Sequence, residues 1–306
     1  MRKTVNQSTC LLLLFLFLQA CSGSLRTQES LPAEDKSSGA LKPSAGLQAG
    51  KQLNFSIKEI PSFPENVQGM AVDNNGVLYF SDTYSRMDTK SQVYTLNPPY
   101  TGIPMATEIA SQSIAGLMWH DNKLYVAYLN ENKVVIFDEE LEFLVSYYVD
   151  APLNFTTDGK YVYVLTHDGN LGVIRTNRVQ MYVKDLRSPF DMHYSEDQTL
   201  YVSEKGGEGA SGKVLSMGSG DAEMKTFKDS LQSPQGLTTD QYNNLYIAET
   251  GADRILLVTT DGETVLVTDQ YDSPIGFAKT DHGEILLNTN HNGGTLLLIQ
   301  PVGYAE

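Results

Sequence analysis

Basic residues are scarce in this chain. Its 306 residues include 22 lysines and arginines against 37 aspartates and glutamates, which gives a formal net charge of −15. No basic cluster interrupts the acidity, and nucleic acid and anionic lipid surfaces are therefore not expected as partners. The acidic surface is explained by solvation alone, or by an acidic face that recruits a basic partner or divalent cations.

Long apolar runs are also missing outside the amino terminus. The residues MRK precede a leucine-rich run that ends at Leu18, which is typical of a signal peptide and too short to span a bilayer. The sequence from Leu18 to Cys21 resembles a bacterial lipobox, which implies cleavage before Cys21 and acylation of its thiol. Ser22, rather than aspartate, follows the cysteine, and by analogy this favours the outer membrane, facing the periplasm. A plain secretory signal cut nearby is the alternative.

Cysteine is rare as well, because the chain has only two. Cys10 is removed with the signal peptide, so the mature chain keeps Cys21 alone and no disulfide forms. A single thiol at the processing point is better explained by acylation than by redox chemistry. We therefore predict a signal peptide over residues 1–20, a flexible tether of mixed polar composition over 21–51 and one domain over 52–306.

One short pattern recurs along the rest of the chain. A small-residue turn, an apolar strand, a polar turn and Leu-Tyr or a close substitute occur six times. The residues at the aligned turn position are Gly69, Gly116, Asn154, Asp191, Gly236 and Gly276. Successive copies therefore lie 37 to 47 residues apart, a period that is typical of propellers and solenoids.

Each unit has room for four strands. In the fifth unit, runs rich in Val, Ile, Leu, Thr and Tyr cover 236–239, 244–249, 254–259 and 264–268, separated by turn sequences. Five units carry a fourth strand of their own, whereas the sixth reaches the end of the sequence without one. Residues 53–60, LNFSIKEI, alternate apolar and polar ahead of the first unit. We expect them to join the last blade and close an all-β, six-bladed β-propeller of four-stranded antiparallel blades.

The segment PQGLTTDQYNNLYIAETGADRILLVTTDGE resembles an NHL repeat, and the resemblance covers about residues 52–303. It implies the six-bladed propeller superfamily that also holds the gluconolactonase-like enzymes. Those enzymes hold one divalent metal at the mouth of the central channel, with ligands just before the repeat glycine. The matching residues here are Gln68, Ala115, Leu153, Phe190, Gln235 and Ile275. None of them is a carboxylate, which argues against a metal-dependent lactonase.

Asn154 and Asp191 stand where the other units have glycine. One interpretation is conformational, because asparagine and aspartate tolerate a positive φ in place of glycine. The other interpretation is a polar ring at the channel mouth, formed by Asn154, Asp191, Gln68 and Gln235. Such a ring would hold a polar ligand or a cation. No cofactor is predicted, and Ca²⁺ stays open as the ion.

The mouth side of the propeller also carries the two longest predicted loops, Thr83–Gln92 and Lys205–Gly212. Further candidate ligand-binding residues are Tyr84 and Arg86 in the first of these loops, and His167 and His291 in loops of blades three and six. Simple exposure to solvent is the alternative explanation for the two histidines.

Sequence signatures of catalysis are absent. The chain has no Gly-x-Ser-x-Gly elbow, no HExxH and no close-spaced set of cysteine and histidine. Asp82, Glu204 and Glu249 follow second strands, and we predict that they bond to neighbouring backbone or to an arginine such as Arg254. No catalytic residue is therefore predicted.

These features favour a monomeric, lipid-anchored propeller of the bacterial cell envelope that binds a ligand on its channel-mouth face. The ligand would be a protein, a polar small molecule or a glycan, and membrane contact would come from the lipid anchor alone. The alternative function is that of a divalent-metal-dependent hydrolase, lactonase or lyase of the gluconolactonase-like type.

Overall fold

A computed structural model of the chain describes residues 53–61, 63–64, 66–82, 90–176, 178–207, 210–219, 221 and 223–304. These residues form β-strands and two short 3₁₀ turns, Thr250–Ala252 and His291–Gly293. No helix within the described ranges is long and apolar enough to cross a membrane. The predicted signal peptide, the predicted tether and Cys21 lie outside the described residues.

The strands form six antiparallel sheets of four strands each. The strand before the first blade is β1 (Leu53–Pro61). Blade one consists of β2 (Val67–Val72), β3 (Leu78–Asp82), β4 (Ser91–Leu96) and β5 (Met105–Ser111). Blade two consists of β6 (Ile114–His120), β7 (Lys123–Tyr128), β8 (Lys133–Phe137) and β9 (Phe143–Tyr148). Blade three consists of β10 (Pro152–Thr157), β11 (Val162–Thr166), β12 (Leu171–Arg175) and β13 (Arg178–Val183).

The second half of the chain repeats this plan. Blade four consists of β14 (Pro189–Tyr194), β15 (Leu200–Glu204), β16 (Gly212–Met217) and β17 (Lys225–Leu231). Blade five consists of β18 (Pro234–Thr239), β19 (Leu245–Glu249), β20 (Arg254–Val258) and β21 (Thr264–Thr268). Blade six consists of β22 (Pro274–Lys279), β23 (Ile285–Thr289), β24 (Thr295–Tyr304) and β1.

The ring closes through the strand from the amino-terminal side. Strand β1 pairs antiparallel with β24, with Ile57 opposite Ile299 and Ile60 opposite Leu296. The first strands of successive blades contact one another, and β2 also contacts β22. The predicted six-bladed propeller and its closing strand are therefore confirmed. Closure covers the edge of β24, which would otherwise offer unpaired backbone groups to another chain.

The hydrophobic core lies between blades rather than within them. One cluster joins Tyr79 of blade one to Leu124 and Val126 of blade two, and another joins Tyr246 of blade five to Leu287 of blade six. The second strand of a blade packs on both faces, and β11, β15, β19 and β23 are accordingly buried along their whole length. This double burial explains why their sequences are nearly continuous apolar runs.

Aspartate side chains organise the turn between first and second strands in three blades. Oδ1 of Asp73, Asp158 and Asp240 each accepts two backbone N–H groups of its own turn, at 2.6–3.0 Å. Such bonds satisfy turn donors locally and fix where each hairpin reverses. The polar turns found in the sequence are therefore Asx turns in these blades.

Candidate functional site

The six first strands surround a central cavity of about 250 Å³. Every blade contributes to its wall, and its polar lining includes Gln68, Asn154, Thr156, Asp191, His193 and Lys279. Each first strand also has a shift in register near its start, which is the mark of a β-bulge. The repeat position of each unit lies at this bulge. We call this end of the channel, where the first strands begin, the mouth.

Three of the four repeat glycines, Gly69, Gly116 and Gly236, are required by close packing, and an unusual φ explains none of the four. None of them has a positive φ. A Cβ at Gly116 would lie 2.3 Å from the carbonyl oxygen of Leu153, and a Cβ at Gly236 would lie 2.5 Å from that of Ile275. The backbone of one blade thus touches the backbone of the next at this level of the channel.

At Asn154 and Asp191, side chains make the contact between neighbouring blades. The conformational interpretation of these two residues is wrong. Neither has a positive φ. Asn154 Nδ2 donates to Asp191 Oδ1 at 2.5 Å, and Asp191 Oδ2 accepts the backbone N–H of Leu237 at 2.8 Å. Blades three, four and five are therefore linked by side-chain hydrogen bonds at the level where the other blades approach through glycine.

Serine residues of two second strands add hydrogen bonds between neighbouring blades near the repeat position. Ser203 Oγ accepts the N–H of Asp191 at 3.0 Å and donates to the carbonyl of Gln235 at 2.7 Å. Ser81 does the same between Gly69 and Ile114 in blades one and two. Sequence reasoning missed both residues, although each stands directly before the acidic residue that ends its second strand.

Asp191 is buried, and its oxygens are already occupied. Burial raises the pKa of this carboxyl to about 7, while hydrogen bonds from the N–H groups of Leu237 and Met192 and from the Asn154 side chain act in the opposite direction. A base or a calcium ligand needs free carboxylate lone pairs, and these three donors use three of the roughly four that a carboxylate has. No group of three or more histidine, cysteine or acidic side chains among the described residues could hold a metal ion. The residues at the mouth therefore do not fit a Ca²⁺ site.

A second polar group lies further along the first strands, toward their carboxyl ends. His193 Nε2 is 2.8 Å from Thr239 Oγ1, and Lys279 Nζ donates to the carbonyl of Thr239 at 3.3 Å. Burial, followed by the charge of Lys279, lowers the pKa of His193 to about 3. The ring is therefore neutral at physiological pH. Lys279 also pairs with Glu196 at 3.5 Å.

Lys205 lies beside the mouth, and sequence reasoning missed its contact. Its Nζ is 3.9 Å from the ring centroid of Phe190, a residue that lines the cavity. Burial lowers the pKa of this ammonium to about 8. The sequence identified the loop in which Lys205 begins, but nothing in it indicates that this side chain folds back over the first strand.

The structure brings some of the predicted site residues together and separates others. Gln68, Asn154 and Asp191 line one cavity, whereas Gln235 is half-buried outside that lining. His167 is exposed beside Asp168, and His291 lies 3.3 Å from Asp272; neither lines the cavity. Tyr84 and Arg86 lie outside the described residues.

The acidic residues that end second strands have the structural contacts predicted for them. Asp82 accepts the N–H of Gln92 at 2.8 Å. Glu204 accepts the N–H of Arg187 at 2.6 Å and pairs with Lys213 at 3.1 Å. The carboxylates of Asp82 and Glu204 thus bond to residues of neighbouring strands and loops.

Comparison with known proteins adds structural relatives and no sequence relative. No protein-family model matches the chain, and no curated protein matches it. A streptogramin B lyase aligns at 14% identity with a TM-score of 0.60, over 80% of this chain and 97% of the other. A putative oxidoreductase (glucose dehydrogenase) from Thermus thermophilus aligns at 13% identity with a TM-score of 0.63, over 80% and 100%. The shared property is the six-bladed β-propeller fold.

A third structure similar to the propeller carries a ligand. It is a catalytically inactive variant of virginiamycin B lyase from Staphylococcus aureus with quinupristin, at 14% identity and a TM-score of 0.58, over 89% of this chain and 98% of the other. Identities this low establish the propeller's fold and say nothing about its chemistry. The function has to be argued from the cavity itself.

Proposed function

We propose that the propeller is a binding module whose channel mouth takes a small polar molecule. The observation that carries the proposal is the cavity lining, which offers amide, hydroxyl and neutral imidazole groups from Gln68, Thr156 and His193. A pocket with a few convergent polar groups is the usual form of a ligand site. Its volume of about 250 Å³ is below that of sites for drug-sized ligands, so the ligand is the size of a single sugar unit.

Binding, rather than catalysis, agrees best with the state of the acidic groups. Asp191 has three hydrogen-bond donors on its two oxygens, and Glu204 bonds to backbone and to Lys213. A general base must reach the proton that it removes, and these carboxylates are held by other partners. The proposal therefore assigns no catalytic residue.

We further propose that the mature protein is a monomer anchored through acylated Cys21 to the outer membrane, facing the periplasm. Residues 21–51 would act as a tether with an r.m.s. reach of about 30 Å, if they behave as a flexible chain. The membrane contact would then come from the lipid, and the propeller would reach soluble ligands around the anchor. Nucleic acid is not among its proposed partners.

Calorimetric titration of the full chain in a detergent without a sugar headgroup tests the binding role, with d-glucose and d-glucuronate as probes. We expect saturable binding of at least one probe. Gln68→Ala should weaken it by about threefold to tenfold, because one hydrogen bond is lost. Gln180→Ala, which changes an exposed glutamine on the outer strand β13, is the matched control and should bind as the wild type does. Binding that Gln68→Ala leaves unchanged would place the ligand elsewhere.

A metal-dependent hydrolase or lyase is the second candidate, because the fold is shared with lyases; it would require Asp191 to exchange hydrogen bonds for a cation. A thermal-shift series with Ca²⁺, Mg²⁺, Mn²⁺, Zn²⁺ and chelator separates the two proposals. A cation that binds the folded state raises the melting midpoint with the logarithm of its concentration. A saturable rise that Asp191→Ala abolishes would support the metal enzyme, and a flat response would contradict it.

A further inference from the structure

Lys205 is held against the channel mouth by both its backbone and its side chain. It follows strand β15 directly, and its N–H donates to the carbonyl of Ser188 at 3.1 Å, just before the first strand of blade four. Its Nζ lies 3.9 Å from the ring centroid of Phe190, which is one of the residues that line the cavity. The ammonium therefore lies against a ring that lines the cavity, although Lys205 itself is not part of the lining.

This ammonium has no carboxylate partner among the described residues, in a protein with a net charge of −15. Three cations near strand ends of the propeller are paired: Lys213 with Glu204 at 3.1 Å, Lys279 with Glu196 at 3.5 Å, and Arg254 with Glu249 at 2.5 Å. Lys205 differs from the exposed cations that also lack an ion pair within the described ranges, such as Lys160, because it is half-buried and lies against a residue of the cavity wall. Among the side chains that the structure describes, Lys205 Nζ contacts the face of the Phe190 ring, which compensates a buried charge in part.

Within the described part of the chain, this arrangement lacks an anion. Burial lowers the pKa of Lys205 to about 8, so most molecules still carry the charge at neutral pH. A half-buried cation that has lost part of its water gains more from an anionic partner than an exposed one does, because the surrounding dielectric is lower. The Phe190 ring cannot accept the directed hydrogen bonds that an ammonium donates, whereas a carboxylate can.

We propose that Lys205 binds the carboxylate of a small hydroxylated organic acid whose remaining polar groups enter the cavity. The size of the ligand follows from the volume of about 250 Å³, and its hydroxyls from the amide and hydroxyl lining at Gln68 and Thr156. A carboxylate is favoured over a phosphate, because a single ammonium matches a single negative charge. This inference rests on the proposed binding function and names the chemical class of its ligand.

The test compares d-glucuronate with d-glucose, which differ in the carboxylate that Lys205 would bind. Titrations use the full chain in a detergent without a sugar headgroup, at low ionic strength. We expect the wild type to bind d-glucuronate at least about tenfold more tightly than d-glucose, as for a hydrogen bond to a charged group. Lys205→Met should reduce this ratio to about one and leave the affinity for d-glucose unchanged. Lys160→Met is the matched control, since Lys160 also lies over an aromatic ring, 5.0 Å from that of Tyr161, but is exposed in the β10–β11 turn.

The outcomes separate this inference from the function on which it rests. If the wild type binds both probes equally, or if Lys205→Met keeps the preference for d-glucuronate, the role of Lys205 is overturned and the binding function stands. If neither probe binds, the proposed function and this inference both fail. Tighter binding of d-glucose 6-phosphate than of d-glucuronate would overturn the choice of a carboxylate.

Chemical labelling gives a second readout at the residue itself. Acetylation at pH 8, followed by mass spectrometry, should modify Lys205 and be slowed by d-glucuronate but not by d-glucose. Lys160 serves as the internal reference, since its labelling should not respond to either probe. Equal protection of both lysines, or none of Lys205, would contradict the assignment.

Discussion

One place in the channel wall is occupied by the repeat residue of every blade. This residue is glycine in four blades, and it is Asn154 or Asp191 in the other two. At Gly116 the next blade comes so close that a Cβ would lie 2.3 Å from its carbonyl oxygen. At Asp191 the side chain itself makes the contact, by accepting the N–H of Leu237 in the next blade. One position of the repeat is thus filled by two kinds of packing, and only the second adds hydrogen-bonding groups to the cavity.

Gly116→Ala should lower the free energy of unfolding by about 3 kcal/mol, because the added methyl group meets backbone that cannot move aside without disturbing two blades. Urea unfolding followed by circular dichroism measures the change. Gly207→Ala is the control, since a Cβ there has no heavy atom within 4 Å, and its effect should stay within about 0.5 kcal/mol. Equal stability of the two variants would refute the close-packing explanation.

His193 should make the propeller less stable in acid. Its pKa in the folded protein is about 3, below the ordinary value of 6.5. Between these two pH values the unfolded chain therefore binds a proton at this histidine, and the folded protein does not. Stability is therefore lost as the pH falls below about 6.5, at up to about 1.4 kcal/mol per pH unit.

Urea unfolding at pH 7 and pH 5 checks this slope. The wild type should lose up to about 2 kcal/mol more than His193→Gln between these two values. The opposite trend expected from the raised pKa of Asp191 is present in both proteins and cancels in the comparison. His167→Gln, at an exposed histidine, should keep the wild-type slope. A His193→Gln variant with the wild-type slope would contradict the prediction.

At the scale of single elements, hairpins are held by an acidic residue at the end of the second strand. Glu249 ends β19 and is fully buried. Its Oε2 accepts Arg254 Nε from the first residue of β20, and its Oε1 accepts the N–H of Gln232 from the loop before β18. A single carboxylate thus ties two strands and an entry loop together on the mouth side of blade five.

Arg254→Met should cost about 2–3 kcal/mol of stability, because it leaves the buried charge of Glu249 without its cation. Lys225→Met breaks a pair of similar length, 2.7 Å to Asp221, but on the surface, and should cost no more than about 0.5 kcal/mol. Thermal and urea unfolding of the two variants measure the difference. Similar losses in both would show that burial of Glu249 does not decide the energy of the pair.

At the scale of the whole molecule, the ring explains how a chain with only two cysteines reaches a closed core. Pairing between β1 and β24 joins the two ends of the propeller through backbone hydrogen bonds, so no disulfide is needed for closure. The proposed role of Cys21 is to carry the lipid.

Cys21→Ser should abolish incorporation of a labelled fatty acid into the protein when it is expressed in a Gram-negative host, because the acylated thiol is lost. Metabolic labelling followed by immunoprecipitation is the measurement. Cys10→Ser is the matched control, since Cys10 would leave with the signal peptide, and it should be labelled as the wild type is. Labelling of Cys21→Ser at the wild-type level would contradict lipid anchoring through this residue.

The sequence alone determined the architecture of this protein, because each blade corresponds to a pattern of residues that are close together in the chain. Six turn-and-strand units, a missing fourth strand in the last unit and an alternating segment at 53–60 were sufficient to predict the closed ring, and the strand predicted at 264–268 is observed at Thr264–Thr268. These signals depend on residues that are neighbours in the chain, and propensity and turn chemistry act at that range.

Only the tertiary structure decided the character of the site. The contacts that define it join residues far apart in sequence: Asn154 with Asp191, Asp191 with Leu237, and Phe190 with Lys205. The sequence identified Asn154 and Asp191 as exceptions to the glycine rule, but it could not distinguish a backbone role from a side-chain role. That distinction depends on how closely adjacent blades approach, which is set by the packing of the whole ring and not by any one repeat.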